Sequence, residues 1–191
     1  MKKLLTLLLA ILIITTIFAQ KRDITLDDLW QNYTFYPSYI GGFNSMNDGE
    51  HYSTMERTED GQEIIKHQFK DGKKVRTLFS SADFDIQRIN NYTFSDDEKQ
   101  LLLSTETEKI YRHSSKSAYY IYNVFTDKLK KLTDDKVMYA TFSPNGEKVA
   151  YVFDNNLYIK NIRSEKITQV TTDGKKNHII NGASDWVYEE E

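Results

Sequence analysis

The chain has no cysteine. That excludes a disulfide framework and a thiol nucleophile within these residues. With none after the N-terminal apolar run, it also excludes a lipoprotein anchor. No Gly-x-Ser-x-Gly elbow occurs, and Ser184 in Gly182-Ala183-Ser184-Asp185 does not match that pattern. His51, His67, His113 and His178 show no metal spacing of the His-Glu-x-x-His kind. His113 reads as a loop residue rather than a base. No glycine loop suited to cradling a phosphate is present, and no cofactor is expected. The net charge of -3 comes without a basic stripe, so nucleic acid is not an expected partner. What is present is apolar and aromatic. With 39% hydrophobic and 13% aromatic residues, the chain can build a core and is not a disordered segment.

The first residues read as a targeting signal. Lys2 and Lys3 give a positive start, Leu4 to Phe18 is apolar apart from threonines, and Ala19 offers a small residue for cleavage. Residues 1–19 are therefore expected to be a secretory signal, with an uncleaved N-terminal anchor as the alternative. The run is short for a membrane span of roughly 20 residues. Export without disulfides fits a bacterial envelope: periplasmic, outer-membrane-associated or secreted. Asn32-Tyr33-Thr34 and Asn91-Tyr92-Thr93 match the glycosylation sequon, a short pattern that arises often by chance.

Thr25-Leu26-Asp27-Asp28 has the form of a capping box with Asp in place of Glu. Leu26, Leu29 and Trp30 follow at helical spacing, which predicts a short helix over Leu26 to Asn32. Pro37 ends any continuation. From Gly41 onward the pattern is short alternating strands separated by Asp48-Gly49, Asp60-Gly61, Asp71-Gly72, Asn145-Gly146 and Asp173-Gly174. Asx-Gly supplies the positive φ that tight hairpin turns need. The fold class is therefore all-β and antiparallel.

A repeat narrows the architecture. Tyr92-Thr93-Phe94-Ser95-Asp96-Asp97-Glu98-Lys99 parallels Ala140-Thr141-Phe142-Ser143-Pro144-Asn145-Gly146-Glu147, each followed by an apolar strand. Tyr120-Ile121-Tyr122-Asn123 answers Tyr158-Ile159-Lys160-Asn161, and a weaker copy runs from Phe43 to Leu78. The period, about 40 to 50 residues, is that of a four-stranded propeller blade. A partial β-propeller of about three blades is expected, against the alternative of a meander sandwich. Phe94 and Phe142 lie 48 positions apart, whereas Ile121 and Ile159 lie 38 apart. The second copy therefore carries an insertion, within Thr105 to Ser114. Insertions in repeat proteins map to loops on one face, often the binding face.

The chain closes on Asp185-Trp186-Val187-Tyr188-Glu189-Glu190-Glu191. Adjacent carboxylates raise one another's pKa unless a cation joins them. Such a run is commonly a solvated tail, but acidic tails are poor in aromatics and Trp186 and Tyr188 lead into this one. Together with Asn181-Gly182 upstream, these words resemble the double-glutamate motif of the dipeptidyl peptidase IV family, serine exopeptidases of the prolyl oligopeptidase clan. Tyr111-Arg112-His113-Ser114, in the insertion, resembles that family's Arg-His-Ser word, with tyrosine where better-known members have tryptophan.

The resemblance spans about Ile24 to Glu191 and implies substrate-binding roles for Glu190, Glu191 and Arg112. Glu190 and Glu191 would bind the substrate's N-terminal ammonium, and Arg112 a substrate carbonyl. It implies release of dipeptides with penultimate Pro or Ala by a secreted enzyme. Its partners would be peptides with a free N-terminus, a C-terminal α/β-hydrolase domain of the same protein, and a second copy in a homodimer. The rest of the propeller and the Ser, Asp and His of that hydrolase domain do not occur in these residues. No catalytic residue and no metal ligand is therefore assigned here, and the chain alone is expected to be inactive. Neighbouring side chains on a strand point to opposite faces, so Glu190 and Glu191 can share one ammonium only from a turn or short helix. Two alternatives stand beside this reading. One is a non-catalytic envelope propeller that binds protein or peptide partners. The weaker is a carboxylate-pair glycosidase, since adjacent glutamates are poorly placed to flank a sugar bond.

Overall fold

Alternating apolar residues between tight turns give twelve strands in the computed structural model, which describes residues 23–36, 42–185 and 187–188. The segment expected to be a signal, residues 1–19, lies outside the described residues. The chain divides into two compact units after Ile40. In the first, helix α1 spans Leu26–Trp30, shorter than the sequence spacing suggests. Its start is the expected capping box: the Thr25 hydroxyl accepts the Asp28 N–H, and the Asp28 carboxylate accepts the Thr25 N–H. Leu26, Leu29 and Trp30, whose spacing predicted the helix, are exposed, while Asp28 is buried.

The second unit is three antiparallel four-stranded meanders. The first comprises β1 (Phe43–Ser45), β2 (His51–Arg57), β3 (Gln62–Gln68) and β4 (Lys74–Ser80). A 3-10 turn at Ser81–Asp83 leads to the second: β5 (Ile89–Phe94), β6 (Gln100–Lys109), β7 (Ser115–Asn123) and β8 (Lys128–Lys131). The third comprises β9 (Met138–Phe142), β10 (Lys148–Phe153), β11 (Asn156–Asn161) and β12 (Ile167–Gln169). These are three blades of a β-propeller.

The blade-opening turns repeat in atomic detail. The Ser95 N–H bonds Gln100 O, the Ser143 N–H bonds Lys148 O, and the Met46 N–H bonds His51 O. Asp48, Asp97 and Asn145 each fold a side-chain oxygen back onto the N–H two residues on. Glu98 takes the left-handed backbone that Gly49 and Gly146 take at the same place, with φ of 56°. Its carboxylate accepts the N–H of Asn47, and Asn47 donates in turn to Asp96 O at 2.7 Å. Gln100 makes the matching stitch from the second blade to Gly146 O at 2.8 Å.

The middle blade is buried on both faces because β6 is apolar at consecutive positions. Leu101 and Leu103 pack with Ile64, Phe79 and Tyr122 against the first blade. Leu102 points the other way and packs with Ile121, Val149 and Tyr151 against the third. Each such side chain stabilises by about 2 kcal/mol when taken from water. The Gln62 side chain adds a polar seam, accepting the Ile89 N–H at 2.6 Å and donating to Ile89 O.

Candidate functional site

The insertion was expected as a loop; it is mostly paired strand. Equivalent pairs fix its limits. Thr105↔Ala118 in the second blade occupies the place of Phe153↔Asn156 in the third. The third blade turns there through Asp154 and Asn155, whereas the second continues as a hairpin arm from Glu106 to Ser117. Added residues form an arm because they enter between two strands that can go on pairing, as Glu108↔Lys116 and Lys109↔Ser115 do. The arm is closed by the Ile110 and Tyr111 N–H groups donating to Ser114 O, at 3.0 and 3.4 Å. Tyr111, Arg112 and His113 are therefore its tip, and all three are exposed. Beneath them the Ser114 hydroxyl is buried and lacks a hydrogen-bond partner among the described residues.

The chain beyond β12 is tied to the same end of the third blade. Asn156, at the start of β11, is buried and acts as the anchor. Its carbonyl oxygen accepts the Thr171 hydroxyl at 3.2 Å and the Gly174 N–H at 3.0 Å, and its amide donates to Asp154 O. The Asn181 N–H bonds Asn155 O at 3.0 Å. Asp173-Gly174, expected as a hairpin turn, has another reason for its glycine. A Cβ on Gly174 would lie 2.3 Å from Asn155 O. Gly182, with φ of 78°, lies flat on Val152 and Leu157, where a Cβ would meet the Val152 methyl at 2.8 Å.

This path delivers Asp185, whose carboxylate accepts the Val187 and Tyr188 N–H groups at 3.0 and 3.1 Å. That is an N-cap, and Val187 and Tyr188 have helical backbone. Trp186, Glu189, Glu190 and Glu191 lie outside the described residues. The two sequence words nevertheless meet. A cleft of about 730 Å³ has Tyr111 of the arm in its lining together with His178, Ile180, Asp185 and Tyr188. Arg112 is the next residue along the tip from Tyr111. The cleft combines aromatic and apolar surface with a hydroxyl, an imidazole and a capped carboxylate, which suits binding a short polar chain. Among the described residues no group of acidic or histidine side chains could hold a metal ion.

Sequence reasoning named Arg112, which lies at the exposed tip of the arm, and assigned no role to three residues that hold the arm and the terminal segment. Asn156 anchors the terminal segment, Asp185 caps its last described turn, and Lys136 bonds the arm. Only Asp185, one residue before an aromatic and ahead of three acids, carried a local signal.

A three-bladed propeller segment with a cleft at one end of two neighbouring blades is thus the class that the geometry defines. The family model described as the dipeptidyl peptidase IV N-terminal region matches residues 95–191. The chain belongs to that family. The crystal structure of Porphyromonas gingivalis dipeptidyl peptidase 4 is 41% identical, with a TM-score of 0.73 over 90% of this chain and 25% of that one. Human prolyl endopeptidase FAP is 30% identical over 176 residues, covering 89% of this chain and 22% of that protein. A probable dipeptidyl-aminopeptidase B of Chaetomium globosum is 34% identical over 153 residues, covering 75% of this chain and 16% of that protein. The chain thus spans less than a quarter of the length of these curated relatives.

Proposed function

We propose that this chain is the substrate-anchoring part of the propeller of an exported serine-type dipeptidyl peptidase. The intact enzyme releases N-terminal dipeptides with penultimate Pro or Ala, and the serine comes from a C-terminal hydrolase domain. Glu190 and Glu191 hold the substrate's ammonium, and Arg112 donates to a substrate carbonyl. The observation that carries this reading is the shared cleft: the residue before Arg112 and the capped turn ahead of the glutamate pair line the same space.

The chemistry fits. An ammonium offers three donors and no acceptor, so two carboxylates and one further acceptor satisfy it. At about 4 Å each charge pair is worth roughly 4 kcal/mol at an effective dielectric near 20, less desolvation. A chain that continues past this point has no cation there and leaves both acids unpaired. The propeller thereby selects free N-termini.

The test compares free-amino with N-acetylated dipeptide substrates in the intact enzyme. Glu190→Gln or Glu191→Gln should lower kcat/KM for the free-amino substrate by roughly 2–5 kcal/mol of transition-state binding. The N-acetylated substrate, already poor, should lose little further. Reaction with a small fluorophosphonate that has no amino group should persist. Glu189→Gln should be much milder. Equal losses on free and blocked substrates would remove the proposal.

A further inference from the structure

The arm leaves its sheet at a bulge. Pairing is regular to Thr105↔Ala118 and resumes at Glu108↔Lys116, so Glu106 and Thr107 together oppose Ser117. Glu106 there has φ of 48°, a left-handed backbone that a residue with a side chain adopts only when its surroundings impose it. A bulge bends a strand and re-aims the residues beyond it. The angle of the arm, and hence the position of Arg112, is set at this joint.

The connection between the second and third blades grips the joint. Lys136, in the connection from β8 to β9, places its ammonium 3.3 Å from Glu106 and 2.7 Å from Glu108. The other Glu108 oxygen pairs with Lys116 at 3.0 Å. The next residue, Val137, exchanges both backbone hydrogen bonds with Ser117 on the returning strand, each 3.0 Å. Thr107 joins its hydroxyl to that of Ser117 at 2.8 Å and donates its N–H to Asn90. Lys136 and Val137 together hold both strands of the arm. Both glutamates are exposed, and ion pairs of this kind add little to global stability. Their effect is geometric. Arg112 lies at the tip beyond Glu108, so a change of angle at the joint is carried to it.

We propose that Lys136 is a positioning residue for substrate recognition, clamping Glu106 and Glu108 so that the arm holds Arg112 at the cleft. The inference rests on the reading of Arg112 as a substrate contact. Two measurements on the intact enzyme separate the two claims. The first is the distance distribution between spin labels at His113→Cys and Lys128→Cys. It should broaden or shift in Lys136→Met, recover in Lys136→Arg, and loosen in the wild type as salt rises. An unchanged distribution in Lys136→Met overturns the clamp.

The second is KM for a free-amino dipeptide substrate. Lys136→Met should raise it roughly 5- to 20-fold at a nearly unchanged melting temperature, with rescue by Lys136→Arg. The same change should add nothing in an Arg112→Ala background. A loss that persists in full there, or a wild-type KM in Lys136→Met, overturns the role in recognition. A silent Arg112→Ala beside a shifted label distribution removes the reading of Arg112 and leaves the clamp standing.

Discussion

Asn156→Ala offers the sharpest test of how the cleft is assembled. Asn156 is 7% exposed and bonds the segment beyond β12. Truncation removes the acceptor of the Gly174 N–H and the Thr171 hydroxyl, and the donor to Asp154 O. Each such bond contributes roughly 0.5–1.5 kcal/mol, and a buried donor left unmade costs more. The two bonds that reach the segment from Thr171 to Asp185 are together worth about 1–3 kcal/mol, and that loss falls on the segment rather than on the blade cores. If that segment opens as a local unit, its open population rises roughly 5- to 140-fold. Hydrogen exchange of peptides covering 171–185 in the intact protein should accelerate by that factor. Peptides covering β6 should keep their protection. Asn156→Asp keeps one accepting oxygen but sets a buried carboxylate oxygen against Asp154 O, where the amide donated, so it too should open the segment. Because the segment leads to Asp185, Asn156→Ala should also raise KM for free-amino dipeptides. Unchanged exchange in 171–185, or equal acceleration in β6, would refute the idea that Asn156 fastens this segment.

Arg112→Ala in the intact enzyme should cost on the order of 1.5–3 kcal/mol in kcat/KM, the loss of one charged hydrogen bond; dipeptide release unchanged within about twofold would show that Arg112 does not touch substrate. Residues 20–191 in isolation should aggregate or populate a loosely packed state, because Phe43, Phe69 and Val75 of the first blade and Ile167 and Val170 of the third are exposed and ring closure is missing; a sharp cooperative melt of a soluble monomer would contradict this. The Ser95 hydroxyl and then the Lys99 contacts hold Asp97 below its ordinary pKa, and Lys74 does the same for Glu63. Their stabilisation is present above the unfolded pKa values of about 4 and is lost as pH falls through the lower folded values. The melting temperature should therefore drop on acidification through that range, and a flat profile would show that neither contact matters to stability.

The blades were legible because their signals are local. Asp48-Gly49 and Asn145-Gly146 announce two of the opening turns, and the parallel around Phe94 and Phe142 supplies the third, although Glu98 stands where glycine is expected. The unequal spacing of the copies placed the insertion and put Arg112 within it. It could not say that the insertion pairs with itself, since Glu106-Thr107-Glu108-Lys109 has few of the apolar or β-branched residues that mark a strand. The fastenings were silent for another reason. Asn156 to Gly174 and Lys136 to Glu106 join residues far apart in the chain. A single asparagine or lysine that meets its partner across such a separation leaves no periodicity behind. Gly174 misled for the same reason, reading as a turn when close approach of Asn155 is what requires it.

An arm made of paired strands changes length only in discrete increments. One residue added to each strand moves the tip outward by about 3.3 Å and turns its side chains to the opposite face. Two per strand restore the facing at about twice that reach. Insertion on one side alone needs a place where register already slips, and the joint at Glu106 is such a place. Relatives whose arms differ in reach should therefore differ by whole strand pairs beyond this joint. Intermediate reaches would arise from a changed bend at Glu106 and not from a changed residue count.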